Sequence, residues 1–144
     1  MKTLKQICMA MFIGLLLSSA MGCVKKGPDD PLISFHTRQA RLTQDWILVK
    51  YEKNDVTIDM SGSSSEWIFH DNGSIAQTLS GVIFGFPAST TSDGTWSFSD
   101  SKKSVSININ NGTNSYVIDR LSEKELWLTR YDGGDTFFLH FQVK

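Results

Sequence analysis

The chain has 144 residues, 40% of them hydrophobic, and a formal net charge of −1 at pH 7. This length and composition fit one small folded domain and exclude both wholesale disorder and several domains. The charge gives no electrostatic basis for binding nucleic acid, so we expect no nucleic-acid partner.

The N-terminus has the pattern of a secretory signal peptide. Lys2 and Lys5 precede an apolar run, Ile7–Leu17, and small residues follow it. The run is shorter than a membrane-spanning helix requires, so we predict a removable leader at residues 1–22. Loss of the leader and its two lysines leaves 122 residues with a net charge of −3.

The end of the leader resembles a bacterial lipobox, with Gly22 directly before Cys23. In proteins with this signal the leader is cut before the cysteine, and the cysteine thiol is diacylated. The resemblance implies that Cys23 is the lipid attachment site, and more than one acyl chain is enough for stable membrane anchoring. Acylation also accounts for the single cysteine that remains once Cys8 leaves with the leader. The alternative is an ordinary secretory signal followed by an incidental cysteine.

The segment after Cys23 is polar. Val24–Pro31 contains two lysines, two aspartates and two prolines and has no hydrophobic pattern, which predicts a solvated tether. We therefore assign residues 23–33 to the acylated cysteine and a flexible tether, and residues 34–144 to the folded domain. We expect the chain at the bacterial outer membrane, where a periplasm-facing and a surface-exposed position both stay open.

From residue 45 onward, short segments alternate apolar and polar residues, which is typical of half-buried β-strands. A short helix is predicted within 34–42. Turn sequences separate the strands, and the Asn-Gly pairs at Asn72-Gly73 and Asn111-Gly112 favour tight hairpins. The predicted strands are 45–52, 56–60, 66–70, 75–79, 95–99, 105–109, 115–121, 126–131 and 137–143.

Strands joined in order by tight turns predict an antiparallel meander. Closure into a barrel removes the exposed strand edges, and a two-sheet sandwich is the main alternative. A longer loop is predicted between residues 80 and 93. It includes Gly81–Pro87, an apolar run with Phe84 and Phe86. We interpret this run either as a buried strand end or as a lid over the barrel mouth or a patch for a partner.

Short motifs stand in a characteristic order along the chain. They are Asp30-Pro31, Arg38, Arg41-Leu42, Trp46, Phe69–Gly73, Gly94–Phe98, Tyr116–Ile118, Leu121 and Leu126–Leu128. In this order and spacing, residues 30–143 resemble the small lipocalin-like lipoproteins of Bacteroidota. In lipocalin-like proteins the first strand carries Gly-x-Trp, whose tryptophan plugs the closed end of the barrel. Trp46 matches this tryptophan, whereas Gln44 stands in place of the glycine.

The resemblance implies an all-β fold, an antiparallel up-and-down barrel of eight strands preceded by one short helix. Such barrels hold one small ligand or are filled by their own side chains. The chain is 11% aromatic, and we predict a calyx for a small hydrophobic ligand. The alternative is a structural or interaction subunit of the cell envelope with a filled barrel. The predicted ligand-binding residues are Trp46, Phe69, Trp96, Phe98 and Tyr116.

The sequence contains no recognisable catalytic constellation. His36, His70 and His140 are widely spaced, and Asp132 and Asp135 flank two glycines without the spacing of a calcium loop. We find neither a nucleophile elbow nor a phosphate-binding loop. We therefore expect no enzymatic activity, no cofactor and no bound metal. The expected state is a monomer whose partners are the membrane, a small hydrophobic ligand and an envelope protein.

Overall fold

The structure, a computed structural model, describes residues 36–144. The predicted leader, the acylated Cys23 and the tether lie outside the described residues. Within the described part of the chain, no helix is long and apolar enough to cross a bilayer.

The described residues form one short helix and nine strands. Their bounds are α1 Arg38–Leu42, β1 Asp45–Lys53, β2 Val56–Thr57, β3 Ser63–Phe69, β4 Ser74–Ile83, β5 Phe86–Phe98, β6 Ser104–Ile109, β7 Gly112–Leu121, β8 Glu125–Asp132 and β9 Asp135–Val143.

Eight of these strands close into an antiparallel barrel. From β3 to β9 each strand pairs with the next in chain order, and β1 pairs with both β3 and β9. The two-residue β2 pairs with the end of β1 alone. The predicted all-β, eight-stranded barrel with a short preceding helix is confirmed, and the sandwich alternative is excluded because the sheet closes on itself.

One end of the barrel is filled by side chains and covered by α1. Thr37 caps the helix by accepting a hydrogen bond from the Ala40 amide at 3.1 Å. Trp46 at the start of β1 is fully buried, and its indole N–H donates to the Leu42 carbonyl at 2.9 Å. The helix and the first strand thus close this end together. The other largest fully buried side chains are Phe69, Ile75, Val105, Ile118, Leu121, Leu126, Leu128 and Phe141.

The prediction of a loop between residues 80 and 93 is wrong. Here β4 and β5 continue as a long hairpin, in register from Ser74 opposite Thr95 to Ile83 opposite Phe86. Phe84 and Gly85 form the turn with φ of 52° and 83°, and positive φ at both central residues is the geometry of a two-residue hairpin turn. Serine and threonine look like loop residues in sequence, but their hydroxyls pair across these two strands, at Thr78–Thr91 and Ser80–Ser89.

The strand predicted at residues 56–60 is also shorter than expected. Val56 and Thr57 pair with β1, and the Ile58 amide adds one hydrogen bond to the Tyr51 carbonyl at 2.8 Å. The chain then turns, because the Asp59 carboxylate accepts hydrogen bonds from the amide and hydroxyl of Ser61. Residues 58–62 therefore lie beside the barrel mouth, where Met60 contributes to the cavity described next.

Candidate functional site

The other end of the barrel contains an open cavity of about 550 Å³. It lies at the end of the barrel opposite α1, between inward-facing residues of β1, β3, β4 and β7–β9. The cavity is the candidate binding site, and its fifteen lining residues are Leu48, Tyr51, Met60, Ser63, Ser64, Ser65, Trp67, Gln77, Leu79, Ser80, Asn114, Tyr116, Arg130, Phe137 and Leu139.

Packed aromatic rings form the deep end of the cavity. The Trp67 ring lies 5.7 Å from Tyr116 in an edge-on arrangement and 4.9 Å from Phe141. The indole N–H of Trp67 donates to the Ser65 hydroxyl at 3.2 Å. Ring contacts of this kind and a satisfied indole N–H fix the orientation of a tryptophan. Trp67 is thus held rigidly between the cavity and the filled half of the barrel.

Arg130 is the one charged residue among the fifteen that line the cavity. It points inward because it continues the alternation of Leu126 and Leu128 along β8, both of which are fully buried. The Arg130 guanidinium donates to the Asn114 side-chain carbonyl at 2.8 Å and lies over the Phe137 ring at 4.6 Å. These two contacts fix the cation on the β7–β9 wall.

The β8–β9 turn sets the register of this wall. Gly133 and Gly134 both have positive φ, 59° and 92°, as a two-residue hairpin turn requires. The resulting pairing puts Arg130 directly opposite Phe137 on the neighbouring strand. The cation over the ring is therefore a cross-strand pair that the local turn sequence specifies.

Tyr116 supplies a hydroxyl to the same part of the cavity. Burial raises the pKa of Tyr116 above its ordinary value; the Arg130 charge acts in the opposite direction, and Tyr51 adds to the increase. Tyr116 consequently remains protonated at neutral pH and is able to donate a hydrogen bond. The cavity thus combines an apolar aromatic base with a cation, a phenol and an amide on one wall.

Hydrogen bonds join two turns at the rim of the cavity. The Asn54 side chain donates to Asp135 at 2.8 Å and accepts from the Thr136 amide at 2.9 Å. Lys53 pairs with the Asp135 carboxylate at 2.6 Å. Hydrogen bonds from Lys53 and Asn54 lower the pKa of Asp135 below its ordinary value. This cluster links the end of β1 to the start of β9.

The five predicted ligand-binding residues divide between the two halves of the barrel. Tyr116 lines the cavity. Trp46, Phe69 and Trp96 belong to the buried hydrophobic core, the partly buried Phe98 packs against that core, and all four are absent from the cavity lining. Trp96 is also fixed by a hydrogen bond from its indole to the His70 carbonyl at 2.9 Å.

Tyr116 is the one cavity-lining residue that was among the predicted ligand-binding residues, and the other fourteen, including Trp67, Asn114 and Arg130, were not predicted. The alternation along 126–131 would have placed Arg130 on the inward face with Leu126 and Leu128, since residues two apart share a face. The same alternation along β7 would have placed Asn114 on the inward face with Tyr116 and Ile118.

Phe84 and Phe86 lie at the tip of the β4–β5 hairpin and are 96% and 73% exposed. Neither residue lines the cavity. The tip also exposes Val82 and Ile83, so the surface is apolar and continuous. Of the two earlier interpretations of this run, the buried strand end is wrong.

The described residues include all three histidines of the sequence. His36 and His70 are exposed, and His140 is half-buried, 3.4 Å from Glu125. Among residues 36–144, no group of three histidine, cysteine, aspartate or glutamate side chains is arranged to hold a metal ion.

Comparison with known proteins identifies the fold. No protein-family model matches the chain, and no curated protein sequence matches it. A lipocalin-like protein from Bacteroides uniformis is 19% identical, and the match covers 72% of this chain and 99% of that one with a TM-score of 0.53. This likeness shows a lipocalin-like barrel fold.

Bovine odorant-binding protein is also similar. In its complex with undecanal it is 17% identical, with 78% of this chain and 77% of that chain covered and a TM-score of 0.48. A deswapped triple mutant of the same protein is 18% identical, with 72% and 74% covered and a TM-score of 0.46.

Proposed function

We propose that this barrel binds a small, mainly hydrophobic ligand in the cavity opposite α1. The observation that carries the proposal is the contrast between the two ends of the barrel interior. One end is filled by side chains, whereas the other keeps an open volume of about 550 Å³ lined mainly by aromatic, aliphatic and uncharged polar residues. Small-molecule sites typically have volumes of about 300–1,000 Å³ and a largely apolar lining.

The N-terminal sequence supports a membrane-anchored binding protein. In this proposal Cys23 carries the lipid, residues 23–33 form the tether, and the barrel acts at the outer membrane as a non-enzymatic carrier without a cofactor. His36, where the described chain begins, lies 3.9 Å from Glu123 in the β7–β8 turn. The chain therefore joins the barrel at the α1 end, and the cavity opens at the opposite end.

Native mass spectrometry of the full chain tests ligand binding. The chain, released from non-ionic detergent micelles, is titrated with a lipid and metabolite extract of the source cell envelope. We expect a discrete, saturable mass adduct. A folded chain that shows no adduct would contradict the proposal.

Two adjacent substitutions locate the adduct. Gln77 lines the cavity, and its neighbour Thr78 pairs through its hydroxyl with Thr91 outside the cavity. Gln77→Trp fills the cavity and should abolish the adduct, whereas Thr78→Trp should retain it. Equal binding by both variants would place the ligand elsewhere.

The exposed hairpin tip favours a second candidate function, contact with a protein of the envelope. Its four large apolar side chains are 58–96% exposed, and contiguous exposed apolar surface often marks an interaction site. A photo-crosslinking residue at position 84, introduced in intact cells, should give one discrete crosslinked product. Position 131, where Tyr131 is 69% exposed, is the control and should give none. Identical product patterns at both positions would contradict a specific contact.

A further inference from the structure

The cavity contains a positive charge, and no acidic side chain among the lining residues balances it. Arg130 is the one charged residue among them, and none of the fifteen is acidic. The acidic group recorded near Arg130 is Asp132, 3.7 Å away and 65% exposed. A pair this long with so exposed a carboxylate is screened by water and contributes little.

It is unfavourable to hold a cation partly out of water without a close negatively charged group. The Arg130 side chain is 23% exposed, and its neighbours in the cavity are neutral. Its contacts with the Asn114 carbonyl and the face of the Phe137 ring are favourable, but neither group carries a formal negative charge. An anion that enters the cavity would supply the missing charge compensation.

We propose that the ligand is an amphiphilic anion and that Arg130 binds its acidic group. This inference rests on the proposed ligand-binding function and adds the chemical class of the ligand. The expected class has one carboxylate or sulfonate on an apolar chain or ring system, since a volume of about 550 Å³ suits a single small molecule.

The geometry of the wall suits such a group. A guanidinium carries five N–H donors in a planar fork, and the Asn114 contact uses one nitrogen of that fork. Carboxylate and sulfonate oxygens match the fork and form strong charge-assisted hydrogen bonds. The Tyr116 hydroxyl, which is protonated at neutral pH, is a further donor nearby. Trp67 and Leu139 at the base of the cavity then contact the apolar body.

A pair of fluorescent dyes with the same scaffold tests this assignment. Anilinonaphthalene sulfonate carries one sulfonate, and N-phenylnaphthylamine is its uncharged counterpart. Binding of each dye to the full chain in non-ionic micelles is measured by native mass spectrometry. The variants are Arg130→Gln, which removes the charge, and Arg130→Lys, which retains it. Arg120→Gln is the matched control, since Arg120 pairs with Glu125 and stacks on Trp127 away from the cavity.

We expect the wild-type chain to bind the sulfonate at least about tenfold more tightly than the uncharged dye, equivalent to about 1.4 kcal/mol. Arg130→Gln should remove this preference by weakening binding of the sulfonate dye, and circular dichroism of the variant shows whether it is folded. Arg130→Lys should retain part of the preference, and Arg120→Gln should retain all of it.

Three results would overturn the inference, and a fourth would overturn the proposed function on which it rests. If both dyes bind equally to the wild type, or if Arg130→Gln keeps the preference, the anion assignment fails while the proposed ligand-binding function stands. If excess inorganic sulfate displaces the sulfonate dye, the site takes a bare anion instead of an amphiphile. If neither dye binds the wild type and the envelope extract gives no adduct, the proposed function itself fails.

Discussion

Gly94 on β5 lies directly against the backbone of β6. It pairs with Ile109, and a Cβ atom at this position would overlap the Asn108 carbonyl oxygen and lie 2.7 Å from Ile109 Cγ1. Both the carbonyl and the Ile109 side chain belong to the barrel wall. Glycine is therefore required here because a Cβ atom would not fit between the strands. A positive φ is not the reason.

Gly94→Ala should destabilise the fold by about 1–3 kcal/mol, because overpacking forces the strands apart. Thermal unfolding followed by circular dichroism measures the change. The matched control is Gly112→Ala, whose Cβ would make an ordinary 3.5 Å contact with the Ile109 carbonyl and which has no positive φ. Equal melting temperatures for the two variants would contradict the steric account.

Asp135 contributes a pH-dependent contact at the rim. Hydrogen bonds from Lys53 and Asn54 lower its pKa in the folded state. A carboxyl group whose pKa is lowered by folding stabilises the fold above its unfolded pKa, and this stabilisation is lost as the pH falls through the folded pKa. The contribution is therefore fully present at neutral pH and disappears in acid.

Asp135→Asn should thus lower the melting temperature at pH 7, and the difference from wild type should shrink below about pH 4. Thermal unfolding between pH 3 and pH 7 checks this. Asp100→Asn, at an exposed carboxylate in the β5–β6 turn, is the control. A difference for Asp135→Asn that stays constant over this range would refute the linkage.

At the scale of elements, the β4–β5 hairpin stands apart from the other strands. In its outer part, from Gly81 to Ala88, β4 and β5 pair with each other. The tip carries exposed phenylalanines. The tip therefore contributes little to the core. Its apolar surface is consistent with an external contact, and the fold does not depend on it.

Replacing Phe84 and Phe86 together by serine should change the unfolding free energy by less than about 0.5 kcal/mol, the usual range for exposed sites. Denaturant titration measures this quantity. Phe69→Ala is the comparison, because Phe69 is 2% exposed and loss of a buried phenylalanine costs about 3–5 kcal/mol. If the double serine variant loses as much stability as Phe69→Ala, the tip is part of the core.

At the scale of the whole molecule, the two ends of the barrel differ in role. Trp46, Leu42 and α1 seal the end at which the chain enters the described structure. The cavity and its cation lie toward the other end. A lipid on Cys23 would therefore be attached on the sealed side and leave the cavity accessible.

Cys23→Ser should abolish lipid attachment, because the acyl groups require the thiol. Cells given an alkyne-labelled fatty acid should label the wild-type chain and not the variant, and the variant should leave the outer-membrane fraction. Cys8→Ser is the control and should leave labelling unchanged. Labelled Cys23→Ser protein would contradict the anchor assignment.

The strand order was predictable because its signals are local, whereas the prediction of an eight-stranded closed barrel depended on the family resemblance. Alternation of apolar and polar residues fixes which face of a strand is buried, and short turns rich in asparagine and glycine join neighbours in sequence. In the β6–β7 hairpin the two turn residues are Asn110 and Asn111, one position before the predicted Asn111-Gly112 pair. The 80–93 hairpin escaped prediction because its strands are rich in serine and threonine, whose pairing across the sheet becomes visible only when β4 and β5 lie side by side.

The sequence by itself determined the all-β class, the eight-stranded barrel and the position of Trp46 at its start, since each follows from local pattern or from the family resemblance. Tertiary structure alone decided which half of the barrel is filled. Asn114 and Tyr116 lie on β7 and Arg130 on β8, and the pairing of these two strands brings the three side chains to one wall. Space inside a barrel depends on how side chains from distant strands share the interior, which local sequence does not encode.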